Sequence, residues 1–310
     1  MKYRKCLIWL VLSVMSLQNA SAQKSVEKLP QLMLRLDDIG MNHSVNMAMK
    51  KMADTKIPFS ASVQFACPWY QEAVEILKKN PQISVGVHLT LTSEWKNYRW
   101  GPVVGREAVP SLVDSDGYFH QSSGAFAKSN FKVEEVEKEL SAQIERALKS
   151  GLKITYIDPH MGIALSIPAL RAVTEKLANK YKLAISTLSE QVYMGETYKE
   201  MWGEPVVSKK AAFLLYVNKN LSKSRPNLVV IHVAIQDSEM DALFDMNSSM
   251  MNTAEGKPLT ALHRQAELNM LLSAEFKALV NRRFTLINYA ELVNERGLKE
   301  MRLETVKNTN

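Results

Sequence analysis

Cysteine is nearly absent from this chain: of 310 residues only Cys6 and Cys67 carry a thiol. That scarcity excludes a disulfide framework and any zinc site built on several thiolates. A transition-metal site here has to be assembled from imidazoles and carboxylates. Glycine and proline are also sparse, at 12 and 11 residues, which excludes collagen-like and low-complexity chains. No stretch offers the ~20 apolar residues that a membrane-spanning helix needs. The excess of positive charge is modest, +7. It comes without the clustered Arg/Lys module of a nucleic-acid reader, so no nucleic-acid partner is expected. What is present is ordinary for a folded globular protein: 46% hydrophobic and 23% charged residues.

The amino-terminal residues read as a secretory signal. Lys2, Arg4 and Lys5 form a basic region, Leu7 to Leu17 a short apolar stretch, and Ala20-Ser21-Ala22 the small-x-small cleavage pattern. We expect residues 1–22 to be a signal peptide and 23–310 one domain, exported to the periplasm or secreted, with no stable membrane insertion after cleavage. Cleavage would lower the formal charge to +4 by removing Lys2, Arg4 and Lys5. Cys67 then stands alone and reads as a small buried hydrophobe.

Further along, short β-rich runs alternate with helical patterns, the signature of an α/β protein. Strands are predicted at Gln31–Leu36, Phe59–Phe65, Ile83–Leu89, Lys153–Ile157, Leu183–Ser186, Asn227–His232 and Phe284–Asn288. Helices are predicted from Ser44 to about Ala53, Pro68 to Asn80, Val133 to Ser150, Ile167 to Tyr181, and Leu259 to about Asn281. Two polar excursions, 92–131 and 236–257, interrupt the rhythm, and long loops of that kind are often functional. No linker or repeat divides the chain. The expected architecture is a single distorted parallel (β/α) barrel with long loops over the C-terminal face of its strands.

The polar residues that could do chemistry fall at strand ends. Asp37 and Asp38 end the first strand, His88 the third, His160 follows the strand at Lys153, and His232 closes the strand at Asn227. In a parallel α/β fold all strand C-termini lie on one face, so these groups converge. A carboxylate with two imidazoles can hold a divalent metal ion, Zn or Mg, and leave positions open for water and substrate. A second carboxylate could take a proton from the water and a further imidazole could give one to the leaving group. This set of groups suits hydrolysis of an amide or ester.

The same residues resemble the YdjC-like carbohydrate deacetylases. The likeness is carried by Leu36-Asp37-Asp38-Ile39-Gly40, by Val85-Gly86-Val87-His88-Leu89-Thr90-Leu91-Thr92, and by Asp116-Gly117-Tyr118-Phe119. Glu139 and Gln143 leading to Asp158-Pro159-His160, and Arg264, Glu267-Leu268 and Leu286-Ile287-Asn288-Tyr289, extend it over about residues 31–292. The resemblance implies a barrel-like α/β fold and removal of N-acetyl groups from an amino-sugar or oligosaccharide substrate. It also implies that Asp38, His88 and His160 bind the metal and that Asp37 is the base. His232 would be the acid assisting amine departure, and Arg264 would orient an acidic partner or a substrate oxygen. Trp95 and Trp100 could form a stacking platform for the sugar with Tyr98, or anchor the loop to the body. His43, His120 and His263 read as surface or capping residues.

Three positions depart from the family pattern. Arg35 replaces the usual Asn before the Asp pair, and if it faces inward it pairs with Asp37 and weakens that residue as a base. His160 is followed by Met161-Gly162 rather than by a second His, and the usual His-Pro-Gly reads His232-Val233-Ala234. Two further readings therefore stay open: a glycan-binding protein without turnover on a deacetylase scaffold, and a metal-dependent hydrolase of another amide or ester.

Overall fold

A computed structural model describes residues 28–186, 192–193, 205–248 and 251–301. The expected signal segment lies outside these residues. Among the described residues the strands form one all-parallel sheet: β1 (Gln31–Ile39), β2 (Ser60–Val63), β3 (Ser84–Leu89), β4 (Ile154–Pro159), β5 (Ala184–Ile185), β6 (Val192–Tyr193), β7 (Asn227–Ile231) and β8 (Thr285–Ile287). The order is β5-β4-β3-β2-β1-β7-β6, and the sheet curls into a distorted (β/α) barrel. Along Leu32–Met33, β1 pairs β7 on one edge and β8 on the other; beyond Arg35 that second edge belongs to β2.

Two apolar layers hold the curl. Leu32, Leu34 and Leu36 point outward from β1 and join the large core beneath α1 (His43–Asp54), α2 (Tyr70–Lys78), α3 (Ser123–Lys128) and α4 (Val133–Lys149). That core continues under α5 (Ile163–Ser166), α6 (Pro168–Tyr181) and α7 (Lys209–Asn220). Strand alternation sends Met33 to the barrel interior, where it meets Tyr156, Ala184, Leu228, Val230, Ile287 and Tyr289. With both faces covered, β1 is buried almost throughout, as a parallel barrel strand should be. Tyr156 crosses the interior to pack against Tyr289, ring centroids 4.2 Å apart and planes tilted by 31°, and its hydroxyl meets Ser62 Oγ at 2.9 Å. That crossing explains Gly86. A Cβ there would lie 2.2 Å from the Tyr156 ring.

Two local differences from the sequence expectation have clear causes. The long helix expected at 259–281 is two helices, α8 (Thr260–Leu272) and α9 (Ala274–Arg283), because Ser273 turns extended and caps the second through Phe276 N–H. The first helix starts at His43, one residue earlier than expected, because Asn42 supplies the N-cap, accepting from Val45 N–H. A last helix, α10 (Tyr289–Arg296), is fixed by a capping box between Asn288 and Glu291.

Candidate active site

The paired aspartates face the same space because the strand bulges. Regular alternation would send Arg35 and Asp37 inward and Asp38 out. Instead the register with β2 steps from Leu36↔Ala61 to Ile39↔Val63, three residues of β1 against two of β2. Asp38 sits at φ 62°, a left-handed conformation uncommon for a residue with a side chain. Gly40 follows at φ 89°, its N–H held by Asn46 Oδ1 at 2.9 Å. Asn46 in turn donates to the Trp69 carbonyl and to Glu72, tying α1 to the start of α2.

Asp38 is buried and central. Its Oδ1 lies 3.5 Å from His88 Nε2 and 3.8 Å from His160 Nε2, and accepts from Gln64 Nε2 at 3.0 Å. Its Oδ2 accepts from Arg264 Nη2 at 2.6 Å and lies 3.9 Å from His232 Nε2. Burial alone would raise its pKa, but the Arg264 guanidinium and the surrounding imidazoles hold the carboxyl well below the usual range. Asp38, His88 and His160 each bring one ligand atom within 4.8 Å of the others. That donor set, two imidazole nitrogens and a carboxylate oxygen, fits a divalent first-row ion.

The hydrogen bonds behind the two imidazoles support the fit. Nδ1 of His88 meets Asp158 Oδ2 at 2.6 Å. Nδ1 of His160 meets Thr92 Oγ1 at 3.0 Å, and the Thr92 hydroxyl donates to Met161 Sδ. This network assigns the proton of each ring to Nδ1 and aims both Nε2 lone pairs at the shared space, the arrangement that metal-ligating histidines use. In the metal-free protein, burial works against a charge on His88, but Asp158 and Asp37 outweigh it and push the ring up to about 10. A bound ion would have to displace that proton.

Asp37 is also buried and is engaged differently. Arg35 faces inward and forks onto it, Nε to Oδ1 at 2.6 Å and Nη2 to Oδ2 at 2.7 Å. The same guanidinium reaches Asp158 Oδ2 at 3.4 Å and Ser186 Oγ across the barrel. Both oxygens of Asp37 are thus engaged by Arg35, while its Oδ2 also lies 3.9 Å from His88 Nε2. Asp37, His88 and Asp158 also approach one another closely enough to share an ion, but Arg35 already supplies the positive charge on that side.

The other sequence-predicted residues divide. His232 is at the site and is its most exposed imidazole, 17% for the side chain. Burial and the neighbouring Arg264 bring it down to about 4 despite the Asp38 charge, so the ring is neutral at pH 7. Arg264 is buried on Asp38, with Trp95 stacked against its guanidinium at 5.4 Å. Of the two roles left open for the tryptophans, burial favours anchoring of the loop: Trp95 is 1% exposed and Trp100 4%. Trp100 donates through Nε1 to the Thr92 carbonyl and takes an edge contact with His160, so it braces the loop that aims the ligand. His263 is buried rather than surface-placed; burial and Lys209 lower it to about 4. His43 is exposed and pairs with Glu72.

Sequence reasoning overlooked Asp158 as the orienting partner of His88, Gln64, Thr92, and Glu94. Glu94 is buried, its Oε1 3.4 Å from His160 Nε2. Asp158 was legible, since it pairs in register with His88 on the next strand and shares its inward face. Glu94 lies in an aperiodic loop and had no such signal.

Fold and site together define a parallel α/β-barrel protein with a metal-type carboxylate–imidazole cluster at the strand ends. The YdjC-like protein family matches residues 31–282, and the chain belongs to it. It is 28% identical over 265 residues to a carbohydrate deacetylase of Enterococcus faecalis, covering 84% of this chain and 98% of that protein. It is 31% identical over 155 residues to a carbohydrate deacetylase of Brevibacillus brevis, covering 50% of this chain and 58% of the relative. Among solved structures, one of a cellobiose-phosphate cleavage protein from Enterococcus faecalis V583 superposes with a TM-score of 0.67 at 25% identity, covering 86% of this chain and 99% of that one.

Proposed function

We propose that the protein is a metal-dependent carbohydrate deacetylase that removes N-acetyl groups from an amino sugar or oligosaccharide. The observation that carries this reading is the buried Asp38–His88–His160 cluster with an orienting partner behind each imidazole. Family membership and relatives named carbohydrate deacetylases over most of the chain support it. Zn or Mg bound by these three side chains would polarise the acyl carbonyl and make water a better nucleophile.

The chain's own residues would share the remaining work. Asp158 fixes the tautomer of His88 and Thr92 that of His160. Arg264 holds the second oxygen of Asp38, so that Oδ1 stays turned to the imidazoles. Gln64 is itself steadied by Cys67 Sγ at 3.2 Å and donates to Oδ1. His232, at the mouth, is placed to hand a proton to the departing amine. Being neutral at pH 7, it can do so only after taking up a proton, and the one that the attacking water releases balances the step. The test is acetate release from N-acetylglucosamine and its short oligosaccharides, abolished by a chelator and restored by a divalent ion. No release at any ion loading would refute the reading.

The Arg35–Asp37 fork favours one second reading, a glycan binder without turnover. Binding of the same sugars with no acetate released would support it. Among the described residues no helix is long and apolar enough to cross a membrane. Export of the chain is part of the proposal, motivated by the signal-like residues 1–22. Exported protein whose first residue is Gln23 would agree with it; intact Met1 on the exported protein would not.

A further inference from the structure

We propose that Lys209 and Glu267 are positioning residues for His232, a buried ion pair that fixes the backbone carrying that imidazole. The inference rests on the deacetylase reading above, in which His232 hands a proton to the departing amine. His232 is the first residue past β7, so the direction of its ring depends on how the chain leaves the strand. Neither Val233 nor Ala234 fixes its own φ as a proline would, and hydrogen bonds have to hold the segment instead.

Helix α8 supplies most of them. Glu267 Oε2 accepts from His232 N–H at 2.9 Å, the Arg264 carbonyl from Ala234 N–H at 3.4 Å, and Gln265 Oε1 from Gln236 N–H at 2.9 Å. Between them, Ile235 N–H donates to the Ser44 carbonyl of α1 at 3.2 Å. Arg264 and Glu267 stand three residues apart, on one face of α8. Arg264 Nη2 holds Asp38 Oδ2 at 2.6 Å, and that same oxygen lies 3.9 Å from His232 Nε2. One helix face therefore sets Asp38 and His232 against each other.

Lys209 locks Glu267 from the other side. Its Nζ lies 2.6 Å from Glu267 Oε1, and the two side chains are 1% and 2% exposed. An ammonium taken out of water loses its hydration, and Lys209 is the first residue of α7, where the helix dipole disfavours a cation. A buried ion pair of this kind contributes little net stability, because desolvation offsets the attraction. What the pair supplies is direction: with Oε1 held by the ammonium, Oε2 is aimed at His232 N–H. Lys210, the next residue, shows the contrast, since its Nζ meets Glu275 Oε1 at 2.7 Å on the exposed surface.

The experiment compares Lys209→Met with wild type well below both melting transitions, with Lys210→Met as control. The readouts are kcat and KM on N-acetylglucosamine oligosaccharides, Zn²⁺ affinity by calorimetric titration, and backbone amide exchange at His232 by NMR. We expect kcat at least tenfold lower, KM and Zn²⁺ affinity within threefold of wild type, and His232 exchange at least tenfold faster. The amides of β7 should keep wild-type exchange, and Lys210→Met should match wild type throughout. A pair that only stabilised the fold would lower the melting temperature without these losses, so a smaller change in kcat or in His232 exchange would overturn the proposal. So would a tenfold or larger loss of Zn²⁺ affinity, which would tie the pair to the ion rather than to His232. If Lys209→Met fails to fold, the double variant Lys209→Met/Glu267→Gln, which leaves no lone buried charge, decides by the same limits. Wild-type protein that releases no acetate would overturn the deacetylase reading. His232 exchange, which needs no turnover, would still decide whether Lys209 and Glu267 fix that residue.

Discussion

Asp37 and Asp38 are adjacent in the chain and both are buried, yet they occupy different electrostatic worlds. Asp37 belongs to the barrel interior, locked with Arg35 and Asp158 in a network that spans β1, β4 and, through Ser186, the far side of the barrel. Asp38 belongs to the rim, where three imidazoles and Arg264 surround it. One strand end therefore provides an arginine-held carboxylate and an imidazole-ringed carboxylate in consecutive residues. The bulge and the left-handed turn at Asp38 produce the division; strand alternation alone would have buried one and turned the other away.

The deep side breaks most severely. Arg35→Met removes both hydrogen bonds of the buried Asp37 and leaves His88 alone to balance two carboxylates, and we expect a loss of about 3–5 kcal/mol in denaturant unfolding. A loss under about 1 kcal/mol would mean that the interior network carries little stability. Gly86→Ala attacks the layer beneath it. The new methyl meets the Tyr156 ring, and about 1–3 kcal/mol should be lost, because that ring is packed against Tyr289 and cannot withdraw freely. Asp158→Asn tests the link between the two sides. It removes the orienting carboxylate from His88, and Zn²⁺ affinity measured by calorimetry should weaken by about 10–100-fold.

The smallest effect is a pH dependence away from the cluster. His263 is neutral in the fold, lowered to about 4 by burial and Lys209, whereas the unfolded chain binds a proton near 6.5. Acid therefore favours the unfolded state, and stability is lost as pH falls from about 6.5 towards 4. His263→Gln should flatten that part of the stability–pH curve; an unchanged slope would show that His263 does not cause it.

Much of this was legible in the residues. The apolar runs and their spacing located the principal strands and helices, and the strand-end rule brought Asp38, His88, His160 and His232 together. Arg35 turned inward onto Asp37, the orientation that its position two residues before the pair left open. What escaped had no period to reveal it. Trp95 and Trp100 lie in an aperiodic loop where composition suggests a sugar platform, and only tertiary packing shows that both are buried. Glu94 escaped for the same reason. Ser273 broke a helix whose apolar spacing runs straight through it, because local capping overrode the pattern.

The central claim is that Asp38, His88 and His160 hold a divalent ion that Asp37 does not help to bind. Calorimetric titration of Zn²⁺ into chelator-treated wild-type, Asp38→Asn and Asp37→Asn protein tests it most directly. The account predicts one ion per wild-type chain, affinity lowered at least 100-fold by Asp38→Asn, and less than tenfold by Asp37→Asn. Equal losses in the two variants, or no stoichiometric binding to the wild type, would contradict it.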